Sequence, residues 1–183
     1  MRTFAVSALG PDRPGIVAAI TGVVAEHAMN VVDARAAILR GHFSATFLVT
    51  GGDHVDAATL QRALDTVREG LGLEAAVARE VPALEDEPAP GATHVLTVHS
   101  HQRAGILLAV STVLARYEVT VTNLGVVRAP SGEPVMVIAV CVPDAGVAGE
   151  LRERLAAIAR GAEAEIAWDP VSPSATEAIH SAS

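Results

Sequence analysis

Hydrophobic and polar positions alternate in two distinct rhythms along the first part of the chain. Thr3–Leu9 is a short, mostly apolar run bounded by Gly10-Pro11, which predicts a strand. Ile16, Ile20, Val23, Val24 and His27 then recur at helical spacing and predict a helix to about His27. Pro14 is expected in its first turn, where a missing N–H costs nothing. Asn30–Leu39, rich in Val and Ala, is expected to be a second strand, and Gly41-His42 a tight turn. Over Phe43–Thr50, Phe43, Ala45, Phe47 and Val49 alternate with Ser44, Thr46, Leu48 and Thr50, the pattern of a half-buried antiparallel strand. Ala57, Leu60, Leu64, Val67 and Leu71 form the apolar stripe of a second helix, and a short strand follows over about Glu74–Val81. The order is βαββαβ, a split βαβ arrangement of ferredoxin type. Right-handed crossovers place both helices on one sheet face.

The plan then repeats. Arg13, Gly15, Ile16, Ala19, Val23, Ala25 and Val31 recur, at a constant offset of 90 and without a gap, as Arg103, Gly105, Ile106, Ala109, Val113, Ala115 and Val121. A repeat of this length means two similar folded units. The second is expected to contain a strand over His94–His99, a helix from about Ala104 to Tyr117, and a strand over Val119–Arg128. A Pro130-Ser131-Gly132 turn, a strand over Val135–Val142, a helix bearing Val147, Leu151, Leu155 and Ile158, and a last strand through Ala164–Trp168 complete it. The fold class is therefore α+β: two ferredoxin-like modules over 1–81 and 94–168, with antiparallel sheets and helices on one face. An acidic, proline-bearing linker over 82–93, containing Glu85-Asp86-Glu87, joins them, and 169–183 is expected to be a flexible tail. Each unit ends in an edge strand, and unpaired edges invite pairing. The modules are expected to join side by side, and the chain to form dimers or larger assemblies.

The loop Gly10-Pro11-Asp12-Arg13-Pro14-Gly15-Ile16 sits at the exit of a strand and the entry of a helix. Gly15 has no side chain to block approach to the backbone. The N–H groups of Gly15, Ile16 and Val17 lie at a helix N-terminus, whose partial positive charge suits a carboxylate. Asp12 offers an acceptor for an ammonium group, or a cap for the helix. Asn30, at the entry to the second strand, is both donor and acceptor. A carboxylate pocket beside an ammonium acceptor describes an α-amino acid site. The other reading is a turn solution alone, since Pro and Gly are first of all turn residues. Arg13 and Arg103 are open to structural use, packing their stems on a sheet edge or forming ion pairs.

Leu9-Gly10-x-Asp12-Arg13-Pro14-Gly15-Ile16-Val17, then Asn30-Val31, then Gly41-x-Phe43, resembles the start of an ACT domain. The tandem arrangement, over about residues 2–168, is similar to the glycine cleavage system transcriptional repressor family, with a looser match in the second unit. The resemblance implies βαββαβ modules that sense amino acids, with ligand held where two modules meet. The first loop of one module would there face the entry of the second strand of its neighbour. Carried onto this chain, it points to Gly10, Asp12, Arg13, Pro14, Gly15, Ile16 and Asn30 in the first unit. In the second it points to Ser100, Gln102, Gly105 and Thr120. Thr120 stands where asparagine is usual and Ala104 where the loop has proline, so the two sites are not expected to be equivalent.

Composition narrows the function. Formal charge is −8, and the thirteen basic residues, all arginine, are scattered rather than clustered. That balance excludes a direct nucleic-acid footprint, which needs Lys/Arg against phosphates. The N-terminus lacks signal-peptide features and no apolar run reaches the roughly 20 residues of a membrane helix, so a cytoplasmic, non-membrane protein is expected. The single cysteine, Cys141, lies in an apolar run and is expected to be buried and inert. His94, His99 and His101 are the densest set of metal-ligand types, but His94 and His99 have odd spacing and fall on opposite strand faces, so no metal site is expected. No nucleophile elbow, Walker loop or dinucleotide fingerprint occurs. The expectation is a regulator without enzymatic activity or cofactor. It would bind a small amino acid, glycine or serine by resemblance, and signal to a partner protein, either a transcription factor or a metabolic enzyme. Two other readings stand beside it: a detached regulatory module of an amino-acid or one-carbon enzyme, and an interaction module without ligand.

Overall fold

The computed structural model describes residues 1–82, 90–100 and 105–171. The acidic cluster Glu85–Glu87, the loop residues His101, Gln102, Arg103 and Ala104, and the last twelve residues of the tail lie outside the described residues. Twelve elements follow in order: β1 (Arg2–Pro11), α1 (Ile16–Glu26), β2 (Asn30–Leu39), β3 (His42–Gly51), α2 (Ala57–Leu71) and β4 (Ala75–Val81) in the first unit. The second holds β5 (His94–Ser100), α3 (Ile106–Arg116), β6 (Thr120–Arg128), β7 (Pro134–Cys141), α4 (Ala145–Gly161) and β8 (Ala164–Pro170).

Each unit is one four-stranded antiparallel sheet, in the order β2-β3-β1-β4 and β6-β7-β5-β8. The period-two pattern does what it promises: Phe4, Val6 and Ala8 of β1 and Phe43, Ala45, Phe47 and Val49 of β3 are all buried. They form one core with Ile16, Ile20, Val23 and Val24 of α1 and Leu60 and Leu64 of α2, so both helices cover the same face. In the second unit Leu96, Val98, Ile138 and Val140 meet Ile106, Val110 and Leu114 of α3 and Leu151 and Leu155 of α4. The four-residue apolar stripe read on α4 therefore packs inward, Val147 and Ile158 partly and the two leucines fully.

Local chemistry sets the ends. Asp56 caps α2 by accepting the Thr59 N–H at 2.7 Å, which holds its carboxyl below the usual carboxylate range. Gly72 closes the same helix in the left-handed region, φ 63°. A bulge breaks the β2–β3 register between Val31 and Asp33, and its counterpart breaks β6–β7 between Val121 and Asn123, the same repeat position. The two edges of the first sheet are treated differently. Gln61 reaches from α2 to β4, donating to Ala76 O at 2.9 Å and accepting from Ala78 N at 2.9 Å, so the β4 edge is already engaged. The helices scarcely reach β2, and all but one of its residues are exposed, Val31, Val32, Ile38 and Leu39 among them.

Three readings need correction. Pro14 stands in the turn before α1 rather than in its first turn, because Gly15 is the N-cap and the helix begins at Ile16. Cys141 is half-buried, not buried: Val140 takes the helix-covered face, so alternation sends Cys141 to the other. The final strand runs to Pro170, two residues beyond Trp168, because Asp169 and Pro170 still pair with Val95 and His94. His94 and His99 do project to opposite faces, and His94 stacks on Trp168 with ring centroids 4.6 Å apart.

Candidate functional site

The β1–α1 loop is built around a left-handed glycine. Gly15 has φ 96° and ψ −9°, a region that L side chains enter only at a cost, and no side chain caps the helix it opens. Asp12 therefore does not act as the cap, and the reading that left it that role is closed. Gly15 O accepts the Ala19 N–H at 2.9 Å, the first bond of the α1 ladder. The N–H groups of Ile16, Val17 and Ala18 precede that bond and have no acceptor among the described residues. A Cβ placed on Gly15 would meet no atom within 4 Å, so no described side chain packs against the glycine on that side.

The loop is pinned on both flanks. On one side the Asp12 N–H donates to Gly41 O at 2.8 Å, tying the loop to the β2–β3 turn. The Asp12 amide is therefore engaged, while its carboxylate faces solvent. On the other side Gly10 packs so closely on the α2–β4 turn that a Cβ would stand 2.9 Å from Leu73 Cα and 3.1 Å from Glu74 N. Glu74 N donates to Leu9 O at 2.9 Å across the same contact. Arg13 lies over the end of α2: a Cβ on Gly72 would be 3.6 Å from its Nη1. That puts a cation against the negative end of a helix dipole. Neither the carbonyl of Gly41 nor the α2 C-terminus was legible as part of the loop's support. Their only sequence signal is a glycine at each.

Gly10, Asp12, Arg13, Pro14, Gly15 and Ile16 thus come together at one end of the first unit. Asn30 does not join them. It pairs with Thr50, whereas Pro11 pairs with His42 eight residues away along β3, so Asn30 lies about 27 Å from the loop within its own unit. The second unit repeats this separation. Gly105 opens α3 at φ 89° and ψ −18°, without a side-chain cap, close to the geometry of Gly15. Ser100 ends β5 at the loop, while Thr120 starts β6 at the far end, opposite Cys141. Gln102 lies outside the described residues.

Comparison with known proteins places this architecture. Two models of the ACT domain match, one over residues 2–78 and one over residues 94–160. A UPF0237 protein of Methanosarcina mazei is 37% identical over 78 residues, which is 42% of this chain and 85% of that protein. A UPF0237 protein of Methanocaldococcus jannaschii is 38% identical over 81 residues, 44% of this chain and 90% of that protein. Among solved structures, an unknown protein from Galdieria sulphuraria superimposes with TM-score 0.69 and 25% identity, covering 93% of this chain and 99% of that one. A glycine cleavage system transcriptional repressor-like protein does so with TM-score 0.69 and 18% identity, covering 93% and 98%, which is a likeness of fold. The chain is two ACT domains in tandem and, through its match to nearly the whole length of those archaeal proteins, belongs with the UPF0237 family.

Proposed function

We propose that this protein is a non-enzymatic regulator that binds a small amino acid at the junction of ACT modules and passes the signal to a partner protein. The observation that carries the reading is the open start of α1. Three backbone N–H groups without an acceptor among the described residues lie behind a glycine whose Cβ position has nothing within 4 Å, in a loop tied down on both sides. Such a mouth suits a carboxylate, and pinning its flanks lowers the ordering cost of binding. Asp12, three residues earlier and exposed, supplies the charge an α-ammonium group requires.

The distance to Asn30 supports a ligand shared between modules. A ligand that touched both the loop and an asparagine of this kind must take them from two different modules, since one module holds them about 27 Å apart. The free edge of β2, with its exposed valines and leucine, is suited to that joining, whereas Gln61 already engages β4. Glycine or serine remains the first candidate, and the acidic chain favours action on DNA through a partner rather than by direct contact.

Thermal unfolding of the full chain against the twenty amino acids tests this. A small amino acid should raise Tm, and both Asp12→Ala and Gly15→Val should abolish the rise. No shift with any amino acid would favour the ligand-free interaction module, and a glycine or serine shift that survives both substitutions would refute the site.

A further inference from the structure

The two modules differ at the end where the loops lie. In the first unit Phe43 stands between Gly10 and Ile38 and is buried. Its ring and the close-packed Leu73 fill the helix-covered side of the sheet beside the loop. In the second unit the strand partner of Arg128, which is the counterpart of Ile38, is Pro134. Ser100 takes the place of Gly10. Where the first unit has a phenyl ring, the second has a shallow pocket of about 70 Å³ lined by Val98, Ser100, Val126, Pro134 and Met136.

Among the described residues the lining is aliphatic except for one hydroxyl. Val98, Met136 and Val126 are cross-strand neighbours on three adjacent strands, so the floor is a rigid piece of sheet rather than a loop. Val126 forms the outer wall and is 63% exposed. A cavity of about 150 Å³ admits benzene. At roughly half that volume the pocket matches a branched group of three or four carbons.

We propose that this pocket receives the side chain of a branched-chain aliphatic amino acid, so that the second module differs from the first in ligand. The inference rests on the amino-acid-sensing reading above and specifies the ligand class of the second module. The occupant follows from the site's own chemistry: aliphatic walls, a volume of a few methyl groups, and an exposed outer wall at Val126 past which charged groups stay in water. Glycine and serine leave the pocket empty and gain nothing from it.

Thermal unfolding of the full chain with valine, leucine, isoleucine and isovalerate, against glycine and serine at matched concentration, tests the proposal. An aliphatic amino acid at about a hundred times its Kd should raise Tm by several degrees. Val126→Phe, at an exposed position that tolerates a ring, should weaken that response at least tenfold, while Gly22→Ala, inside α1 of the first module, leaves it intact. The 13C-labelled methyl of Met136 should shift on titration, a readout independent of any variant. A response to glycine or serine with none to the aliphatic set overturns this inference and leaves the general function standing. No response to any amino acid overturns both. An aliphatic response undiminished in Val126→Phe, with no movement of Met136, overturns the pocket.

Discussion

Gly10→Ala separates a glycine needed for packing from one needed for a ligand. The new Cβ would stand 2.9 Å from Leu73 Cα and 3.1 Å from Glu74 N, and both neighbours are backbone atoms that cannot rotate away. Either β1 or the α2–β4 turn must move, and the Glu74 N to Leu9 O bond of 2.9 Å lies across that gap. Overpacking of this kind costs about 1–3 kcal/mol, and stretching the bond adds about 1 kcal/mol. For a unit of this size the sum lowers Tm by at least roughly 8 °C. Gly22→Ala is the control in the same unit. It lies inside α1 with nothing within 4 Å of its Cβ, so alanine should stabilise by about 0.5–1 kcal/mol. The assay is thermal and urea unfolding of the full chain. Far-UV circular dichroism follows both units, and the fluorescence of Trp168, the chain's one tryptophan, follows the second. Gly10→Ala should move the dichroism transition to lower temperature and lower urea concentration. A Gly10→Ala variant as stable as the parent, or a Gly22→Ala variant that is less stable, would refute the close approach drawn here.

Three further outcomes follow from the same geometry. Leu64→Ala, at a fully buried position of α2, should cost about 2–5 kcal/mol in urea unfolding, and a cost below about 1 kcal/mol would contradict its place in the core. Asp56→Ala removes the cap on α2 and should cost about 0.5–2 kcal/mol, with faster amide exchange at Thr59 as its local signature. Burial pushes the His94 imidazole below its usual range, so the unfolded chain binds the proton more readily than the folded one. Its contribution is complete above about pH 6.5 and declines as pH falls below that value. The tryptophan-monitored Tm should drop on acidification, and His94→Phe, which keeps a ring on Trp168, should flatten that slope relative to the parent.

The periodicities made the architecture legible before any coordinate. Phe43, Ala45, Phe47 and Val49 are buried as their alternation requires, and β2 and α2 begin and end where their patterns do. Gly15 was legible as a glycine that leaves the backbone open to approach, whereas its left-handed conformation, with no side chain capping α1, came only from the structure. The task of Gly10 was not legible, because close approach to Leu73 depends on where α2 ends relative to β1, a tertiary relation. The exposure of β2 was hidden for a similar reason. A Val- and Ala-rich strand reads as interior, and only the reach of the helices decides which strands they cover. Asn30 and the loop look close in a motif, but they stand at opposite ends of the sheet once the antiparallel register is laid out.

The difference between the modules was concealed by the repeat that revealed them. An offset of 90 holds through α1/α3 and β2/β6, matching Ile38 to Arg128. The β6–β7 turn is longer than the β2–β3 turn, and beyond it the offset becomes 91, so Phe43 falls on Pro134, Ala45 on Met136 and Phe47 on Ile138. One inserted residue in a turn shifts the alignment of a strand by one, and a one-residue slip exchanges its two faces. Compared at 90, Phe43 appears opposite Glu133 and the loss of a core ring goes unseen. Compared in register, the substitution is of a large buried residue by a small one at the mouth of the second loop. A chain that needed only a second copy of the first module's packing would have little use for that loss, since an emptied position forfeits dispersion contacts on every side. The loss acquires a use when an outside group supplies the missing atoms, and that is the physical ground for assigning the two modules different guests.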